Sequence, residues 1–359
     1  MLGLELTGLR RSATWTVIEK LELSDDITPG QFSVGYKVRS SDGQDAFLKA
    51  SDCDLLTDDD ADFTGRMMAG LMRFDAEKKI LEHCNGNNMD RVVTAIDYGN
   101  DLIVHDGVKE PLFFIVFELA HGDVRERVVG NSYPDLPWVV SAMHHLTTAV
   151  NQLHAGKVCH NDVKPANFLY YDLNTQKLAD LGCATWESRA AMNDERHDIG
   201  DPAHAPPEIL YANTDESRKR LCSVDARKAA DLYQLASLCL YLLTGRALTP
   251  AISERLSLEH RPLSEGGGWS GTFEDVLPYW REAFGRTIDD IIGPRIESES
   301  NGRKARAVEQ LADVIRQLGE PDPALRGHPA NRMGQQDRRG VERYITKFDN
   351  LRPLLMSIH

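Results

Sequence analysis

One short stretch of the chain concentrates side chains that could handle phosphate and metal. Residues 159–185 read CHNDVKPANFLYYDLNTQKLADLGCAT, in which acidic, basic and amide side chains interrupt short apolar runs. Carboxylate and amide oxygens are ligands that suit Mg²⁺, and lysine can neutralise phosphate charge. The stretch therefore indicates either a phosphate-and-metal site or a pair of solvated loops. The residues concerned are His160, Asp162, Lys164, Asn167 and Asp180.

The composition argues against several classes of function. The chain has 359 residues, 42% hydrophobic and 27% charged, and its net charge is -14. Such an acidic balance disfavours non-specific nucleic-acid binding, which needs positive charge facing phosphates. No apolar run reaches the roughly 18 residues of a spanning helix, and the N-terminal apolar part is too short for a secretory signal. We expect a cytoplasmic protein with reduced cysteines and with no nucleic-acid or membrane partner.

The elements that must position these side chains change character near residue 137. Before it, five strand patterns alternate with turn-forming residues, and one helical pattern occupies residues 70–84. After it, most segments have helical periodicity, including amphipathic stretches near 273–293 and 303–318. The polar stretch therefore follows a strand-rich part and lies within a helix-rich part.

The spacing of the polar stretch resembles that of protein kinases. The pattern H-x-D-x-x-x-x-N at residues 160–167, followed by Asp-Leu-Gly at 180–182, is similar to the catalytic and metal-binding loops of that family. The resemblance covers about residues 15–330 and implies an α+β, two-lobed fold. The small lobe would hold a five-stranded antiparallel sheet and one helix, and the larger lobe would be mainly helical. The implied activity is Mg²⁺-assisted transfer of the γ-phosphate of ATP to a serine or threonine hydroxyl of a protein.

The resemblance gives each residue of the polar stretch a role. Asp162 would accept the proton of the substrate hydroxyl, and Lys164 would reach the γ-phosphate. Asn167 and Asp180 would bind Mg²⁺. Because the protein's task in such a reaction is alignment and charge neutralisation, these four groups are the implied catalytic centre.

Further residues are implied to bind ATP. Lys49, in DAFLKA, would contact the phosphates and pair with Glu77 on the following helix. In PLFFIVFELA, Phe117 would border the pocket, and the backbone of Glu118 and Ala120 would bond the adenine. ATP would then lie at the junction of the two lobes, where pockets commonly form.

Four residues would support this centre structurally. His160 begins the catalytic-loop pattern, and Asp231 on the central helix of the large lobe would anchor the backbone of that loop. GDPAHAPPE resembles the end of a kinase activation segment, and its Glu208 would pair with a buried Arg326.

The phosphate-covering loop departs from the family pattern. The family pattern G-x-G-x-x-G-x-V falls on residues 28–35, and of its three glycines only Gly30 remains. Phe47 replaces a small alanine, and Gly35 replaces a valine. Because exchanges that conserve volume are tolerated best, we interpret the pair as a rearranged roof over a purine slot that persists. The alternative is a fold that has drifted away from ATP.

The activation segment also departs from the pattern. Asn161 replaces the arginine that usually meets a phosphate, so switching by phosphorylation of this segment is not expected. Asp201 replaces a threonine, which puts the protein-substrate assignment in question. Thr185 and Ser188 remain candidate phosphorylation sites.

The predicted organisation has four parts: a tail (1–14), a small lobe (15–120), a large lobe (121–330) and a C-terminal helical extension (331–359). Within the large lobe, residues 246–318 are longer than the family needs and could hold a partner surface. The acidic loop 52–62 is a second candidate surface for a protein partner.

Two other functions stay open. A partner-binding pseudokinase is favoured by the weak glycine loop and Phe47, whereas the complete set of charged catalytic positions argues against it. A small-molecule kinase would share the H-x-D-x-x-x-x-N core but would lack Lys164 and the Pro-Pro-Glu segment ending at Glu208.

Overall fold

The structure is a computed structural model of the chain. It describes residues 1–21, 33–51, 63–105, 108–128, 133–172, 174–187, 193–334 and 337–356. Gly30, the acidic loop 52–62 and Ser188 therefore lie outside the described residues. The contacts within the chain define two units. Unit 1 comprises residues 1–121 and 180–182, and unit 2 comprises residues 122–179 and 183–359.

An antiparallel sheet forms most of unit 1. Its strands lie in the order β1-β2-β3-β4-β6-β5, and every neighbouring pair is antiparallel. One face packs into a core that includes Trp15, Val38, Leu48 and Phe114. The strands are β1 (Glu5–Thr7), β2 (Thr14–Leu21), β3 (Ser33–Ser40), β4 (Asp45–Ser51), β5 (Ala95–His105) and β6 (Val108–Glu118).

The described sheet has six strands, so the predicted count of five is corrected. The additional strand is β1, which lies in the segment predicted as a tail. Its Leu6 is fully buried, and the Leu9 amide donates to the Tyr98 carbonyl over 2.8 Å, so the segment also bonds to β5. Buried Asp97 accepts hydrogen bonds from the Arg10 amide and from Trp15 Nε1, at 3.0 and 2.9 Å. These distant partners satisfy a buried carboxylate, which fixes the segment in place.

One long helix completes unit 1. Helix α1 spans Phe63–Gly86, longer than the predicted pattern at 70–84. Ile80, Leu81 and Cys84 are buried, as helical spacing predicts for one face. Leu71, expected on that face, is 40% exposed instead. Glu77 is buried on the same helix and lies three and four residues before Ile80 and Leu81.

Unit 2 is mainly helical, so the predicted α+β class is confirmed. Its helices are α2 (Leu136–Ala155), α3 (Pro207–Leu210), α4 (Asp215–Leu221), α5 (Val224–Thr244), α6 (Leu248–Ser253), α7 (Phe273–Glu297), α8 (Gly302–Leu318) and α9 (Glu342–Met356). Short strands are β7 (Gly122–Asp123), β8 (Val158–Cys159), β9 (Phe168–Tyr170), β10 (Gln176–Leu178) and β11 (Thr185–Trp186).

Helix α5 is the central element of unit 2. It begins at an N-cap in which the Ser223 hydroxyl accepts from the Ala226 amide, and it ends at Gly245 with φ of 71°. Hydroxyl N-caps and left-handed glycines are the usual helix boundary signals. Nearly every side chain from Ala229 to Leu243 is buried. Polar side chains on this helix therefore have to find partners inside the protein.

The C-terminal extension forms a helix on the surface of unit 2. Helix α9 packs against α2 and α8, and its Tyr344, Phe348 and Leu351 are buried, as is Val341 just before it. The i, i+3, i+4 spacing of these residues produces one apolar face. In the 246–318 region, α7 and α8 likewise bury one face each.

Candidate active site

Three charged side chains meet in unit 1. Lys49 on β4 lies with its Nζ 2.9 and 3.0 Å from the two carboxylate oxygens of Glu77. The same Nζ lies 2.8 Å from Oδ1 of Asp180. The predicted Lys49–Glu77 ion pair is therefore present, and Asp180 joins it. The two carboxylates thus share the ammonium of Lys49.

The electrostatics of this ion cluster keep Lys49 charged. Burial alone would lower the pKa of Lys49, but the charges of Asp180 and Glu77 and their hydrogen bonds outweigh it, so the pKa is raised. Burial raises the pKa of Glu77, with Lys49 opposing the rise and Asp180 adding to it. The ammonium is the group that holds the two like charges together.

The backbone around Asp180 fits its residue types. Asp180 has φ of 62°, a left-handed conformation that aspartate tolerates better than most residues. Its Oδ1 also accepts from the Gly182 amide at 3.2 Å. A Cβ at Gly182 would lie 3.1 Å from that oxygen and 3.7 Å from Lys49 Nζ. A larger residue at 182 would thus crowd the ion cluster.

The face of β4 that carries Lys49 also carries Phe47. In the strand register Gly35 pairs with Lys49, whereas Phe47 pairs with Lys37 on one side and with Phe117 on the other. The Phe47 and Phe117 rings are 6.2 Å apart at their centroids. Phe47 thus shares its face with Lys49, as alternation along the strand predicts. The effect of the Gly35–Phe47 exchange on a purine slot stays a prediction.

Glu118 and Ala120 lie where β6 ends. Glu118 is the last residue of the strand, and its side chain accepts from the Thr94 amide at 3.0 Å. Its own amide is 3.4 Å from the Thr94 carbonyl, a long hydrogen bond. Both residues are partly exposed. Their proposed contact with adenine stays a prediction.

The catalytic-loop residues meet in unit 2. Lys164 Nζ lies 3.1 Å from Asp162 Oδ2 and 3.6 Å from Asp201 Oδ2. The Asn167 side-chain amide donates to the Asp162 carbonyl at 2.9 Å and to its Oδ2 at 3.1 Å. Because those N–H groups are used, the amide oxygen of Asn167 is the atom left for a metal. The Asp201 amide donates to Asp162 Oδ1 at 2.9 Å.

Buried polar groups hold the backbone of this loop. Asp231 accepts from the His160 and Asn161 amides at 2.9 and 2.7 Å, the anchoring that the sequence predicts. The Asp162 amide donates to His160 Nδ1 at 3.2 Å, and His160 Nε2 is 3.0 Å from the Ala179 carbonyl. Since Nδ1 accepts, Nε2 must carry the proton, which assigns His160 as a neutral ring in one tautomer.

Asn161 occupies a left-handed position, with φ of 65°. Asparagine is one of the few residues that adopt this conformation at modest cost. Its side chain donates to the Cys183 carbonyl at 2.9 Å and to the Thr185 hydroxyl at 3.2 Å. A Cβ at Gly200, whose φ is 90°, would lie 2.3 Å from the Asn161 carbonyl oxygen. Glycine is therefore required where this segment passes the loop.

An internal cation holds part of the activation segment. Arg227, at the start of α5, is buried, and its Nη2 lies 2.8 to 3.2 Å from the carbonyls of Asn193, Asp194 and Arg196. Its Nε donates to the Cys222 carbonyl at 3.2 Å. This part of the segment is thus ordered by a side chain of the protein itself.

The predicted pair of Arg326 with Glu208 is present and buried. Two parallel hydrogen bonds join them, at 2.6 and 2.9 Å. The other three guanidinium N–H groups donate to the carbonyls of Glu320, Ala229 and Pro321. All five donors of a fully buried arginine are therefore satisfied, which a buried charge requires.

The candidate phosphorylation site Thr185 is only 5% exposed. It lies on β11, which pairs with β8, and its hydroxyl accepts from Asn161. This burial argues against phosphorylation of Thr185 in the conformation described here. The second candidate, Ser188, lies outside the described residues.

Sequence reasoning missed two side chains that contact these loops. Gln234 bonds to the backbone on both sides of Asp162, and Arg227 binds the activation segment. Both lie on the helix that carries Asp231, seven residues apart. Helical spacing of 227, 231 and 234 places all three on one face, a signal that could have found them.

A family model of the protein kinase domain matches residues 22–327, most of the chain. The chain therefore belongs to the protein kinase family.

Several bacterial serine/threonine kinases are among its curated relatives. Serine/threonine-protein kinase PrkC of Bacillus subtilis is 26% identical over 155 residues, 43% of this chain and 22% of that protein. Serine/threonine-protein kinase F of Synechocystis is 29% identical over 185 residues, 49% of this chain and 34% of that protein. PknB of Mycobacterium tuberculosis is 26% identical over 217 residues, 60% of this chain and 32% of that protein. The chain thus matches about a third or less of each relative's length.

Within the described ranges, none of the helices is long and apolar enough to cross a membrane.

Proposed function

We propose that this protein is an ATP-dependent serine/threonine kinase that phosphorylates proteins. The observation that carries the proposal is the hydrogen-bonded set around Asp162. Its carboxylate lies beside Lys164 and Asn167 and accepts from the Asp201 amide. A carboxylate held this way can orient a hydroxyl and take its proton, while the adjacent ammonium can neutralise the transferring phosphoryl group.

The donor groups fit ATP with Mg²⁺. Asp180 offers a partly exposed carboxylate, and Asn167 offers an amide oxygen, both hard ligands of the kind that Mg²⁺ takes. Lys49 would bind phosphate oxygens while Glu77 holds its ammonium in place. When bound, Mg²⁺ would supply neutralisation of the phosphate charge.

A protein hydroxyl is the acceptor that we infer. The names of the bacterial relatives give serine/threonine kinase activity for those proteins. In this chain, Lys164 and the buried Glu208–Arg326 pair distinguish it from the small-molecule kinases considered above.

The test is transfer of label from γ-labelled ATP. Purified protein is incubated with Mg²⁺ and generic protein substrates, alongside Asp162→Ala and, as a matched control, Asp215→Ala at an exposed aspartate of the same unit. We expect label in protein serine or threonine with the wild type and with Asp215→Ala, and a loss on the order of 100- to 10,000-fold with Asp162→Ala. Equal labelling by Asp162→Ala would refute the proposed role of Asp162.

A partner-binding scaffold is the second candidate, and Phe47 favours it. The Phe47 ring lies on the same face as Lys49, next to Phe117, where a large side chain could reduce room for a purine. Calorimetric titration with Mg-ATP separates the two functions. We expect the wild type to bind and Gly35→Val to lose binding, because the added side chain would refill the exchanged volume. A wild type that binds no ATP would support the scaffold.

A further inference from the structure

We propose that Gln234 is a positioning residue that sets the orientation of Asp162. This inference rests on the proposed kinase function and adds a residue to it. Gln234 is 1% exposed on α5. Its Oε1 accepts from the Val163 amide at 2.9 Å, and its Nε2 donates to the Asn161 carbonyl at 3.0 Å. One side chain thus bonds to the residue before Asp162 and to the residue after it.

These two bonds act on the two peptide planes that flank Asp162. Each peptide unit is planar, so the direction of the Asp162 side chain is set by how its two flanking planes are turned. The Asn161 carbonyl belongs to the first plane, and the Val163 amide belongs to the second. Gln234 contacts both planes, and the Asp162 amide in the first plane also bonds to His160 Nδ1. The orientation of both planes is therefore defined from within the protein.

Gln234 does what Asp231 cannot do. Asp231 accepts from the amides of His160 and Asn161, so it fixes the start of the loop. A carboxylate has no donor and cannot hold a carbonyl. The side-chain amide of Gln234, in contrast, donates to the Asn161 carbonyl. Asn161 has a positive φ, a conformation that is less favourable than the common negative-φ conformations. A bond that holds its carbonyl therefore helps to keep the backbone in this conformation.

The side-chain chemistry of the position is restrictive. The amide carries a donor and an acceptor at one end, at the distance from α5 that both loop groups need. Glutamate would keep the acceptor for Val163 and lose the donor. Methionine would have a similar length but would leave both loop groups buried without this partner, since Asn161 and Val163 are themselves buried.

The test compares Gln234→Met with a matched control, Gln176→Met. Gln176 is also buried in unit 2, where its Oε1 lies 2.6 Å from His145 Nδ1. For Gln234→Met we expect kcat to fall about 10- to 100-fold, because misplacement of a reacting group by about 1 Å has effects of that size. The KM for ATP should stay within about twofold, because Lys49 and Asp180 are held by their own ion cluster. Gln176→Met should lower the melting temperature without this fall in kcat.

A second measurement does not depend on activity. Amide hydrogen exchange of residues 159–168 should become faster in Gln234→Met and should stay unchanged in Gln176→Met. If Gln234→Met does not fold, Gln234→Glu takes its place, with a fall in kcat in the same direction expected. Loop exchange equal to the wild type, or a kcat equal to that of Gln176→Met, would overturn the inference.

Two outcomes distinguish a failure of the proposed role of Gln234 from a failure of the proposed kinase function. A wild type that transfers phosphate, together with a fully active Gln234→Met, overturns only the role of Gln234. A wild type that transfers no phosphate overturns the proposed function, and the catalytic role of Gln234 falls with it.

Discussion

The two sets of proposed catalytic residues are held in place by different forces. In unit 1, Lys49 is fixed by opposite charges, and the Asp180 side chain is 42% exposed. In unit 2, the side chain of Asp162 is nearly buried, and the backbone around it is bonded to Asp231, Gln234 and His160. The first arrangement depends on charge, and the second depends on hydrogen bonds between buried groups.

The difference indicates a division of tasks. Asp180 is the partly exposed member of the ion cluster, and it can exchange partners when phosphate and metal arrive, because its carboxylate already contacts water. A buried hydrogen-bonded loop resists rearrangement, because each broken bond leaves a polar group without a partner. We therefore expect substitutions in the ion cluster to act mainly on activity, and substitutions in the buried network of unit 2 to act on stability as well.

The largest expected effect is on activity, in the ion cluster. Lys49→Met should reduce phosphate transfer on the order of 100- to 1,000-fold, because it removes the positive charge that would contact phosphate and leaves two carboxylates unbalanced. Lys79→Met, at a lysine of α1 that pairs with Asp75, is the control and should keep activity within about twofold. Label transfer measures the activity, and circular dichroism checks folding. Activity of Lys49→Met close to that of the wild type would contradict the proposed role of the Lys49 charge in phosphate transfer.

The largest expected effect on stability lies in unit 2. Arg326→Met should lower the free energy of unfolding by about 3–5 kcal/mol, because Glu208 would keep a buried charge without its partner. Arg281→Met removes a partly exposed arginine that pairs with Glu320 and Asp322 and should cost no more than about 1 kcal/mol. Urea unfolding of the two variants measures the difference. Equal losses of unfolding free energy in the two variants would show that burial of the ion pair does not determine the size of the effect.

A pH dependence should also appear in unit 2. Burial lowers the pKa of His204 from 6.5 to about 4, with Asp201 opposing the shift. Between these values the unfolded chain binds a proton that the folded protein does not, so stability should fall as the pH drops from 6.5 towards 4. The loss should approach about 3 kcal/mol. His204→Asn should flatten this part of the profile in unfolding experiments at pH 7, 6 and 5, and an unchanged slope would contradict the assignment.

The smallest expected effect concerns Asp201. Its carboxylate is 3.6 Å from Lys164 Nζ, and its other oxygen accepts from the Ala203 amide. Asp201→Asn keeps the acceptor and the backbone bond to Asp162 but removes the charge, so transfer should fall only about two- to fivefold. Steady-state kinetics with a protein substrate measures this. A loss as large as that of Lys49→Met would mean that the Asp201 charge is essential.

Short motifs in the sequence were sufficient to predict several residues of the candidate site. The roles of Lys49, Glu77, Asp231 and Arg326 were implied by the resemblance of their surrounding motifs to protein kinases, and the structure brings each to its expected partner. Strand alternation likewise placed Phe47 on the face of Lys49. The placement of Phe47 is predictable from the sequence alone because it depends on residues two positions apart within one strand.

Contacts between distant residues were not predictable in the same way. The segment with β1 is predicted as a tail, whereas in the structure it pairs with β2, and its Arg10 amide donates to the buried Asp97, 87 positions further along the chain. Gln234 had no signal apart from its helix face, because a neutral amide gains its role from two backbone groups about seventy positions away. Such roles depend on tertiary structure, which a single sequence specifies only indirectly.

Whether the two sets of residues serve one reaction is tested most directly by phosphate transfer in Lys49→Met, in Asp162→Asn and in the double variant. If both sets of residues serve one phosphoryl transfer, each single variant should lose at least about 100-fold, and the double variant should be little worse than the poorer single one. Transfer at the wild-type rate in either single variant would show that the two sets of residues do not serve one phosphoryl transfer.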